Sequence, residues 1–577
     1  MLKKILVFSG GMDFPTAYIM ISTLCLAVLF VIISAFIKSS HKRIYEIIAT
    51  IPLLNFAVFY MLNYTAGNQL FGLMRYHAQL IISLIICVAS IMISKSKRRT
   101  GAFIMLSVFT CLLSAWSLLY VLGVEGTIRL DNSTHMNYVD SMESTIDELE
   151  HYYILRGHKE IDFDALRDKY IPLALEAQEN NDEVAFAQAV TELAYEFHDG
   201  HLYCMVNDDD LSTLLTEKLS GNDYGFSMAR LDDGSVIVIL LDEESQAQSL
   251  GLYNGAVITK WDGISIDTAV SSVECVPPSV SFYDYPTLEN EERARAMYLA
   301  GRGGDEVSVS FIDENGVEQT IKVRSIGSYS SRLMTATKPL TTRYQEEFAY
   351  STMLNDNTGY LYIPRERYST YSDIYAALAD DYPKIKDLVI SKIDVLQNQG
   401  MEKLIIDIRG NGGGYDAIYE QIVSMFTVDD IVRYGGTYSY EEGFAINYDV
   451  EYRIEADGRY VDIPVVVLVN AGCVSSGDLL AYNLSLCPNV TMMGMTTTCG
   501  SAQTIGGVCM LSGGKIEIHY PMYPILNPDG SICVDAGPER KNPLDIDERI
   551  PFDMTAVEEI YYSDNDYELE YVLDYTH

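Results

Sequence analysis

The chain has 577 residues, of which 80 are Asp or Glu and 40 are Lys or Arg, giving a net charge of −40 at neutral pH. This length exceeds one ordinary domain, and the composition changes abruptly near Gly123 and Val124. Up to residue 124 there are ten basic and two acidic residues, so the remainder carries 30 basic and 78 acidic residues, a net charge of −48. Such an acidic part argues against nucleic acid and anionic membrane surfaces as partners.

The cysteines indicate neither a metal site nor a disulfide framework. Three of the ten lie in the apolar first quarter and seven follow it, namely Cys204, Cys275, Cys473, Cys487, Cys499, Cys509 and Cys533. The sequence has no CxxC pair and no His/Cys ligand spacing, so we expect no metal and no cofactor. An odd number of cysteines cannot pair fully within one chain.

Four apolar segments occupy the first quarter: residues 14–37, 44–64, 78–94 and 101–124. The first contains no charge and exceeds the roughly 20 apolar residues that span a hydrocarbon layer. A cleaved signal peptide would give one such segment, whereas here comparable segments recur with short polar loops between them. Residues 1–124 are therefore predicted to form four transmembrane helices.

The short loops set the predicted orientation. The first and third loops carry seven basic residues (Lys38, Lys42, Arg43, Lys95, Lys97, Arg98 and Arg99), and the opposite side carries four (Lys3, Lys4, Arg75 and Arg129). Because basic loops stay in the cytoplasm, a multi-pass cell-membrane protein is predicted whose chain after residue 125 lies outside the cell.

Residues 125–205 are predicted to be mainly helical, because apolar residues recur at helical spacing from 137 to 197. The helices end at "HDGHLYC", where Asp-Gly marks a turn before a strand-like run. His201 lies at this junction. A histidine there is most often a turn residue, although histidine is also the usual general base near neutral pH.

Residues 221–326 show short strands with glycines at the turns, typical of a small β domain. The order "YGFSM", "QAQSLGL", "NGAVITKWDG" looks like a PDZ domain with an insertion near 273–298. In that family, main-chain amides of the first loop, here Tyr224, Gly225 and Phe226, capture a peptide's terminal carboxylate. A small β domain with no ligand is the alternative.

In residues 340–577, strand-like and helical segments alternate from residue 359 onward. This rhythm predicts a mainly parallel sheet with helical cover and a site at the carboxyl ends of its strands. Two strand-to-helix junctions have unusual compositions: "DIRGNGGGYD" and "NAGCVSSGDL".

The glycine-rich junction can present free backbone amides to an anion at a helix N-terminus. A Walker loop is excluded because no Gly-Lys-Ser/Thr follows, and a Rossmann fingerprint fits Gly410 and Gly412 but fails at Tyr415. An oxyanion hole fits the sequence, as does a purely structural turn.

At the second junction, Ser475 and Ser476 precede a predicted helix, where serines are common as turn and N-cap residues. A lipase-type elbow needs glycine two residues before and after the nucleophile, and Cys473 fails this requirement for Ser475.

Taken in order, "DGHLYC", the PDZ-like segment, "GYLYIP", "LIIDIRGNGGG", "VVVLVNAGCVSSGDLLA" and "GMTTTCG" resemble the C-terminal-processing (tail-specific) serine peptidases over most of residues 137–553. The resemblance implies an α+β and α/β peptidase core of ClpP/crotonase-like ββα units with an inserted PDZ-like domain. In that family the nucleophile stands three residues before an acid that opens a helix, and Asp478 thus selects Ser475. The amides of Gly413 and Ser476 would then form the oxyanion hole.

The family has two branches. One uses a Ser-Lys dyad with the lysine 25 residues after the serine, but position 500 is Gly and the next lysine is Lys515. The other, tricorn-like branch takes a histidine from before the PDZ-like domain, which implies His201 as the general base.

For the third member of the triad, the resemblance indicates Asp535, with Glu539 and Asp545 as alternatives. Gly200 replaces the serine that precedes the histidine in tricorn.

The resulting expectation is a membrane-anchored serine endopeptidase that hydrolyses extracytoplasmic polypeptides, docked by their C-termini. The alternative is a non-catalytic peptide- or ligand-binding module on the same scaffold. A transporter is disfavoured, because the presumed spans hold almost no ionisable residue besides Glu46 and His77.

Overall fold

The computed structural model describes residues 7–8, 128–129, 136–277, 285–341, 349–366, 383–439 and 443–575. All four predicted transmembrane segments lie outside the described residues, and no helix within the described ranges has the length and apolarity to cross a membrane. The chain divides into two compact units, residues 1–132 with 506–508, and residues 133–505 with 509–577. In the first unit, β1 (Val7–Phe8) pairs antiparallel with β2 (Ile128–Arg129). Everything below concerns the second unit.

Three helices open this unit: α1 (Tyr138–Tyr152), α2 (Phe163–Asn180) and α3 (Glu183–Tyr195). Each begins after an Asn or Asp whose side chain accepts a hydrogen bond from the amide three residues on, which satisfies one of the free N–H groups of the first turn. Their apolar faces pack around Tyr153, Phe186 and Leu193, all fully buried. The helices thus contribute most of a hydrophobic core that also takes residues from later segments, such as Leu202 and Ile518.

The chain continues through β3 (Tyr203–Val206) and α4 (Asp209–Ser220) into the β domain. The domain consists of β4 (Asn222–Asp223), β5 (Ser227–Arg230), β6 (Val236–Ile239), α5 (Gln246–Ser249), β7 (Val257–Trp261), β8 (Ile264–Ser265), α6 (Ile266–Ser271), α7 (Leu288–Leu299), β9 (Glu306–Ile312), β10 (Glu318–Arg324) and β11 (Gly327–Ser328). Its sheet has the order β10-β9-β7-β6-β5, entirely antiparallel, with β8 paired to β7. The stretch expected as an insertion contains most of α7.

The remaining elements build the α/β part. They are α8 (Ser330–Thr341), β12 (Tyr350–Met353), β13 (Thr358–Tyr362), α9 (Pro383–Asn398), β14 (Lys403–Asp407), α10 (Asp416–Ser424), β15 (Ile431–Ser439), β16 (Gly443–Ile454), β17 (Val465–Leu468), α11 (Ser476–Ser485), β18 (Val490–Gly494), β19 (Thr504–Met510), β20 (Ile516–Tyr523), β21 (Ile525–Leu526), β22 (Glu548–Arg549), α12 (Met554–Val557) and α13 (Tyr567–Tyr575).

The central sheet has the order β12-β13-β14-β17-β18-β22. Only the β12–β13 pair is antiparallel, so the predicted mainly parallel sheet is confirmed. Alternate residues face opposite cores: Ile405 and Val466 pack on one side, and Ile406 and Val467 on the other. This burial on both faces explains why these strands are continuous apolar runs.

The register places the two unusual junctions side by side. Asp407 at the end of β14 is paired with Leu468 at the end of β17, and the strands are parallel. The glycine-rich loop and the serine turn therefore leave the sheet at the same edge, the expected place for a site in a parallel sheet.

Candidate active site

Ser475 occupies the N-cap position of α11, yet its hydroxyl makes no capping hydrogen bond. Its backbone has φ +63° and ψ −129°, a conformation that costs an L-residue about 1–3 kcal/mol and that clusters at functional sites. An ordinary N-cap serine is extended and uses its hydroxyl on the helix. The strain and the uncapped hydroxyl both separate Ser475 from a simple turn residue.

Ser476 uses its hydroxyl structurally. The Oγ donates to Asp416 Oδ1 at 2.6 Å and lies 3.2 Å from the Gly414 carbonyl, which ties α11 to α10. Its main-chain N–H, at the first position of α11, donates to no group among the described residues. That amide is therefore free for an oxyanion, as the resemblance implies.

Gly413 packs directly against Ser475. A Cβ at Gly413 would lie 2.7 Å from Ser475 Cβ and 3.0 Å from the Ser476 nitrogen, and the residue has φ +80°. Its own N–H, however, donates to Asn411 Oδ1 at 2.9 Å. Of the two amides assigned to the oxyanion hole, one is free in this structure and the other is engaged.

Glu366 supports the glycine-rich loop from the opposite side. It accepts a hydrogen bond from Asn411 Nδ2 at 2.9 Å, and its main chain bonds with Gly413 and Tyr415. The side chain is completely buried, and burial raises the pKa of this carboxyl to about 8. Glu366 is thus held mainly in its neutral form at pH 7.

Asp478, which distinguished the two serines in the sequence, has a structural role. It is fully buried and accepts hydrogen bonds from the amides of Gly500 and Ser501 at 3.0–3.1 Å. Burial raises its pKa to about 7. A Cβ at Gly500, which has φ +75°, would come within 3.2 Å of Asn542 and Thr287, so the position of the dyad lysine is closely surrounded here.

Ser501 connects Ser475 to the loop of His201. Its carbonyl accepts a hydrogen bond from the Ser475 amide at 3.0 Å, and its Oγ donates to Asp199 Oδ1 at 2.5 Å. The same oxygen of Asp199 accepts from the main-chain N–H of His201 at 2.9 Å. Three hydrogen bonds therefore bring together residues 201 and 475, far apart in sequence.

His201 is buried, with 3 % of its surface exposed, and its Nδ1 has no hydrogen-bond partner. Burial lowers the pKa of His201, and the charge of Asp199 raises it in opposition. The net shift is downward, so the imidazole is neutral at pH 7 and can accept a proton. Within the described residues there is no hydrogen bond between the side chains of His201 and Ser475.

Of the three acids considered for the triad, Asp535 alone is buried. Glu539 is exposed, and the Asp545 side chain is 83 % exposed. Asp535 lies beside Ser501, accepts from the Ala502 amide at 3.3 Å and pairs with Lys159 at 3.2 Å. It makes no hydrogen bond to His201. Burial raises the pKa of Asp535, and the charge of Lys159 lowers it in opposition.

In the β domain, Tyr224 and Phe226 are buried core residues, and the Gly225 N–H donates to Asp223 Oδ1 at 2.8 Å. A cavity of about 590 Å³ lies beside Asp223 and is lined partly by Arg332. The guanidinium of Arg332 is already paired with two carboxylates, Asp223 and Asp242. Of the three amides of the predicted carboxylate-binding loop, that of Gly225 is therefore engaged internally in this structure.

Four polar residues of the site escaped sequence reasoning: Asp199, Ser501, Lys159 and Glu366. Asp199 stands in the same "HDGH" stretch as His201, which is the one local pattern that could have drawn attention to it. The others come from distant segments with no pattern. In the described part of the chain, no three His, Cys, Asp or Glu side chains group as metal ligands.

Comparisons with known proteins point to one family of peptidases. Residues 357–537, which contain both junctions, Ser501 and Asp535, match the profile of peptidase family S41. The chain is 24 % identical over 301 residues to the carboxy-terminal processing protease CtpB of Bacillus subtilis (strain 168), covering 52 % of this chain and 51 % of that protein. The chain thus spans about half the length of that curated relative.

Among solved structures, the chain is similar to mature CPAF, at 12 % identity and a TM-score of 0.47, covering 74 % of this chain and 95 % of that one. Another is the tricorn protease, at 14 % identity and a TM-score of 0.32, covering 76 % of this chain and 36 % of that one. With TM-scores below 0.5, neither likeness establishes the fold. The family profile and CtpB confirm the resemblance found in the sequence: residues 357–537 match peptidase family S41, the C-terminal-processing proteases, whose members are serine-type hydrolases.

Proposed function

We propose that this chain is a serine endopeptidase of the C-terminal-processing type, with Ser475 as nucleophile and His201 as general base. The observation that carries the proposal is the strained, uncapped Ser475 beside a free Ser476 amide and the closely packed Gly413. A serine that served only to cap α11 would require neither the positive φ nor the glycine contact.

The residues account for each proton of the reaction. Neutral His201 takes the proton of Ser475 Oγ as the oxygen attacks the scissile carbonyl carbon. The Ser476 N–H stabilises the resulting oxyanion, and the Gly413 N–H joins it once it leaves Asn411 Oδ1. His201 then gives the proton to the leaving amine, and an acyl-enzyme on Ser475 remains. Water, deprotonated by His201, hydrolyses this ester and frees the second fragment.

The substrate class proposed is a polypeptide presented through its C-terminus. Support comes from the antiparallel sheet of the β domain and from the position of Tyr224, Gly225 and Phe226 immediately before its edge strand β5. Docking requires the Gly225 amide to exchange Asp223 for the terminal carboxylate.

The proposal also includes anchoring by four transmembrane helices, with the catalytic part extracytoplasmic. The apolar segments within residues 1–124 and the basic first and third loops support it.

One observation favours a second candidate, a non-catalytic peptide-binding module. His201 Nδ1 is buried without a partner, and the His201 side chain does not contact Ser475 through a hydrogen bond. In catalytic sites without substrate such bonds are often long. The two candidates are therefore distinguished by measuring catalysis rather than by this geometry.

The test is labelling of the full-length chain by a fluorophosphonate, together with hydrolysis of an unfolded protein. Ser475→Ala is compared with Ser485→Ala, the same change at the other end of α11, where Oγ donates only to a local carbonyl. We expect Ser475→Ala to abolish both signals and Ser485→Ala to retain them. Equal labelling of Ser475→Ala and parent would refute the nucleophile. Absence of both signals in a folded parent that binds C-terminal peptides would establish the binding module.

A further inference from the structure

We propose that Asp199, rather than Asp535, is the carboxylate that positions His201 and balances the charge of its imidazolium. The inference rests on the proposed function and names a positioning residue for the same site.

The geometry around Asp199 is that of a fixed buried anion. Its side chain is completely buried and accepts three hydrogen bonds: from Tyr153 Oη at 2.7 Å, from Ser501 Oγ at 2.5 Å and from the His201 N–H at 2.9 Å. Hydrogen bonds to an ionised acceptor are short and strong, and three of them leave the carboxylate little freedom. Asp199 is thereby locked to the loop of the base.

The same carboxylate is locked to the nucleophile. Ser501, which donates to Asp199 Oδ1, accepts the Ser475 amide through its own carbonyl at 3.0 Å. Displacement of Asp199 would therefore move both the base and the nucleophile. A misplacement of 1 Å in such a site costs about 100-fold in rate.

Asp535 is committed elsewhere. Lys159 Nζ pairs with it at 3.2 Å and also donates to the carbonyls of Ala536 at 2.7 Å and His198 at 3.0 Å. The charge of Lys159 opposes that of Asp535, and Asp535 makes no hydrogen bond to His201. The Lys159–Asp535 pair thus fastens the C-terminal segment to the loop that carries the histidine.

The loop that carries His201 is bonded to ionisable groups from several segments. It contains Asp199 and His198, Tyr153 at the end of α1 donates to Asp199, and Lys159, which pairs with Asp535, donates to the His198 carbonyl. Among their charges, that of Asp199 is the one that raises the pKa of His201, against the lowering by burial. Removal of this charge will lower the pKa further.

Asp199→Asn isolates the charge, because it preserves the shape. The amide Oδ1 can accept from Ser501 and His201, and Nδ2 can donate to the Tyr153 hydroxyl. We expect the acid limb of the pH profile of kcat/KM to move to lower pH. We also expect kcat to fall about 100-fold with KM unchanged, since Asp199 is buried and touches no substrate.

The rival assignment, in which Asp535 positions His201, is tested by the double variant Lys159→Met/Asp535→Asn. This variant removes the whole ion pair and leaves no unpaired buried charge. We expect its acid limb to coincide with that of the parent. Asp164→Asn, the same change at a side chain that is 97 % exposed, is the matched control.

Two readouts are taken on the full-length chain in detergent: the pH dependence of hydrolysis and fluorophosphonate labelling, and the NMR titration of His201 in ¹³C-histidine-labelled protein, assigned through His201→Gln. The proposal is supported if the acid limb and the His201 titration move to lower pH in Asp199→Asn but not in the double variant. A shift in the double variant with none in Asp199→Asn overturns it, and so does a shift in neither variant or equal shifts in both.

If Asp199→Asn fails to fold by circular dichroism, the double variant still decides, since any shift of its His201 titration overturns the proposal and an unshifted titration supports it. If the folded parent neither labels nor hydrolyses, the proposed function fails on its own, while the NMR titration continues to test Asp199.

Discussion

At the scale of single residues, the site combines two backbone features that a sequence does not display. Ser475 has a positive φ, and the space beside it at position 413 is too small for any side chain, so that glycine fits there. The glycines of "RGNGGG" predicted an anion-binding loop. At position 413 glycine is required both for its positive φ and for the lack of space for a side chain.

Gly413→Ala is therefore expected to damage the site more than the backbone conformation alone explains. The new Cβ would lie 2.7 Å from Ser475 Cβ at a residue with φ +80°, so the serine turn must shift. We expect fluorophosphonate labelling to slow by about 100-fold. The matched control is Gly263→Ala, at φ +79° with nothing within 4 Å, which carries the strain without the contact. It should lose about 1 kcal/mol of stability and label at the parental rate. Equal labelling by both variants would contradict the steric role of Gly413.

Some residues of the candidate site could be predicted from the sequence and others could not. Ser475, Gly413 and Ser476 could be predicted because they lie in strand-to-helix junctions with distinctive composition. Asp199 and Lys159 could not, because an acid in a turn and a lysine after a helix are common and acquire their roles only from burial and from partners hundreds of residues away. The resemblance indicated Asp535 as a candidate, and its pairing with Lys159 was not predicted.

At the scale of elements, parallel pairing of β14 and β17 assembles the site, and the alternation of strands and helices was enough to predict it. The sequence did not predict that the segment containing Glu366 would support the glycine loop, or that α13 would close the other side. Both contacts are made by isolated polar residues with no periodicity. Arg409, at the start of the glycine-rich loop, is the clearest case, because it joins β14 to the C-terminal helix.

Arg409→Ala should destabilise the chain strongly. The guanidinium is buried and pairs with Asp407, Asp566 and Glu568, so its removal leaves carboxylates without a counter-charge. The expected cost is about 3–5 kcal/mol, read as a large fall in melting temperature, with loss of labelling because the glycine loop begins here. Arg453→Ala removes an exposed arginine that also pairs with two acids and should cost less than about 1 kcal/mol. Similar melting temperatures for the two variants would show that the buried cluster contributes little.

At the scale of the whole molecule, the second unit draws its candidate site from both sides of the β domain in the sequence. The helical segment before that domain supplies His201 and Asp199, and the parallel sheet after it supplies Ser475. The order of motifs anticipated this arrangement. The first 124 residues add a separate question, namely on which side of a membrane this unit lies. The apolar segments and the distribution of basic residues are the grounds for an answer.

We predict that an impermeant maleimide will label Glu314→Cys in intact cells. Glu314 lies in an exposed turn of the β domain, and all seven cysteines in the described residues are buried, so background labelling should be low. Ser96→Cys, placed among Lys95, Lys97, Arg98 and Arg99 of the third loop, should be labelled only after permeabilisation, because that loop is expected in the cytoplasm. The reverse pattern would invert the orientation, and labelling of both cysteines only in lysed cells would place the β domain inside. An extracytoplasmic unit restricts the substrates of Ser475 to polypeptides that reach the outer face of the membrane.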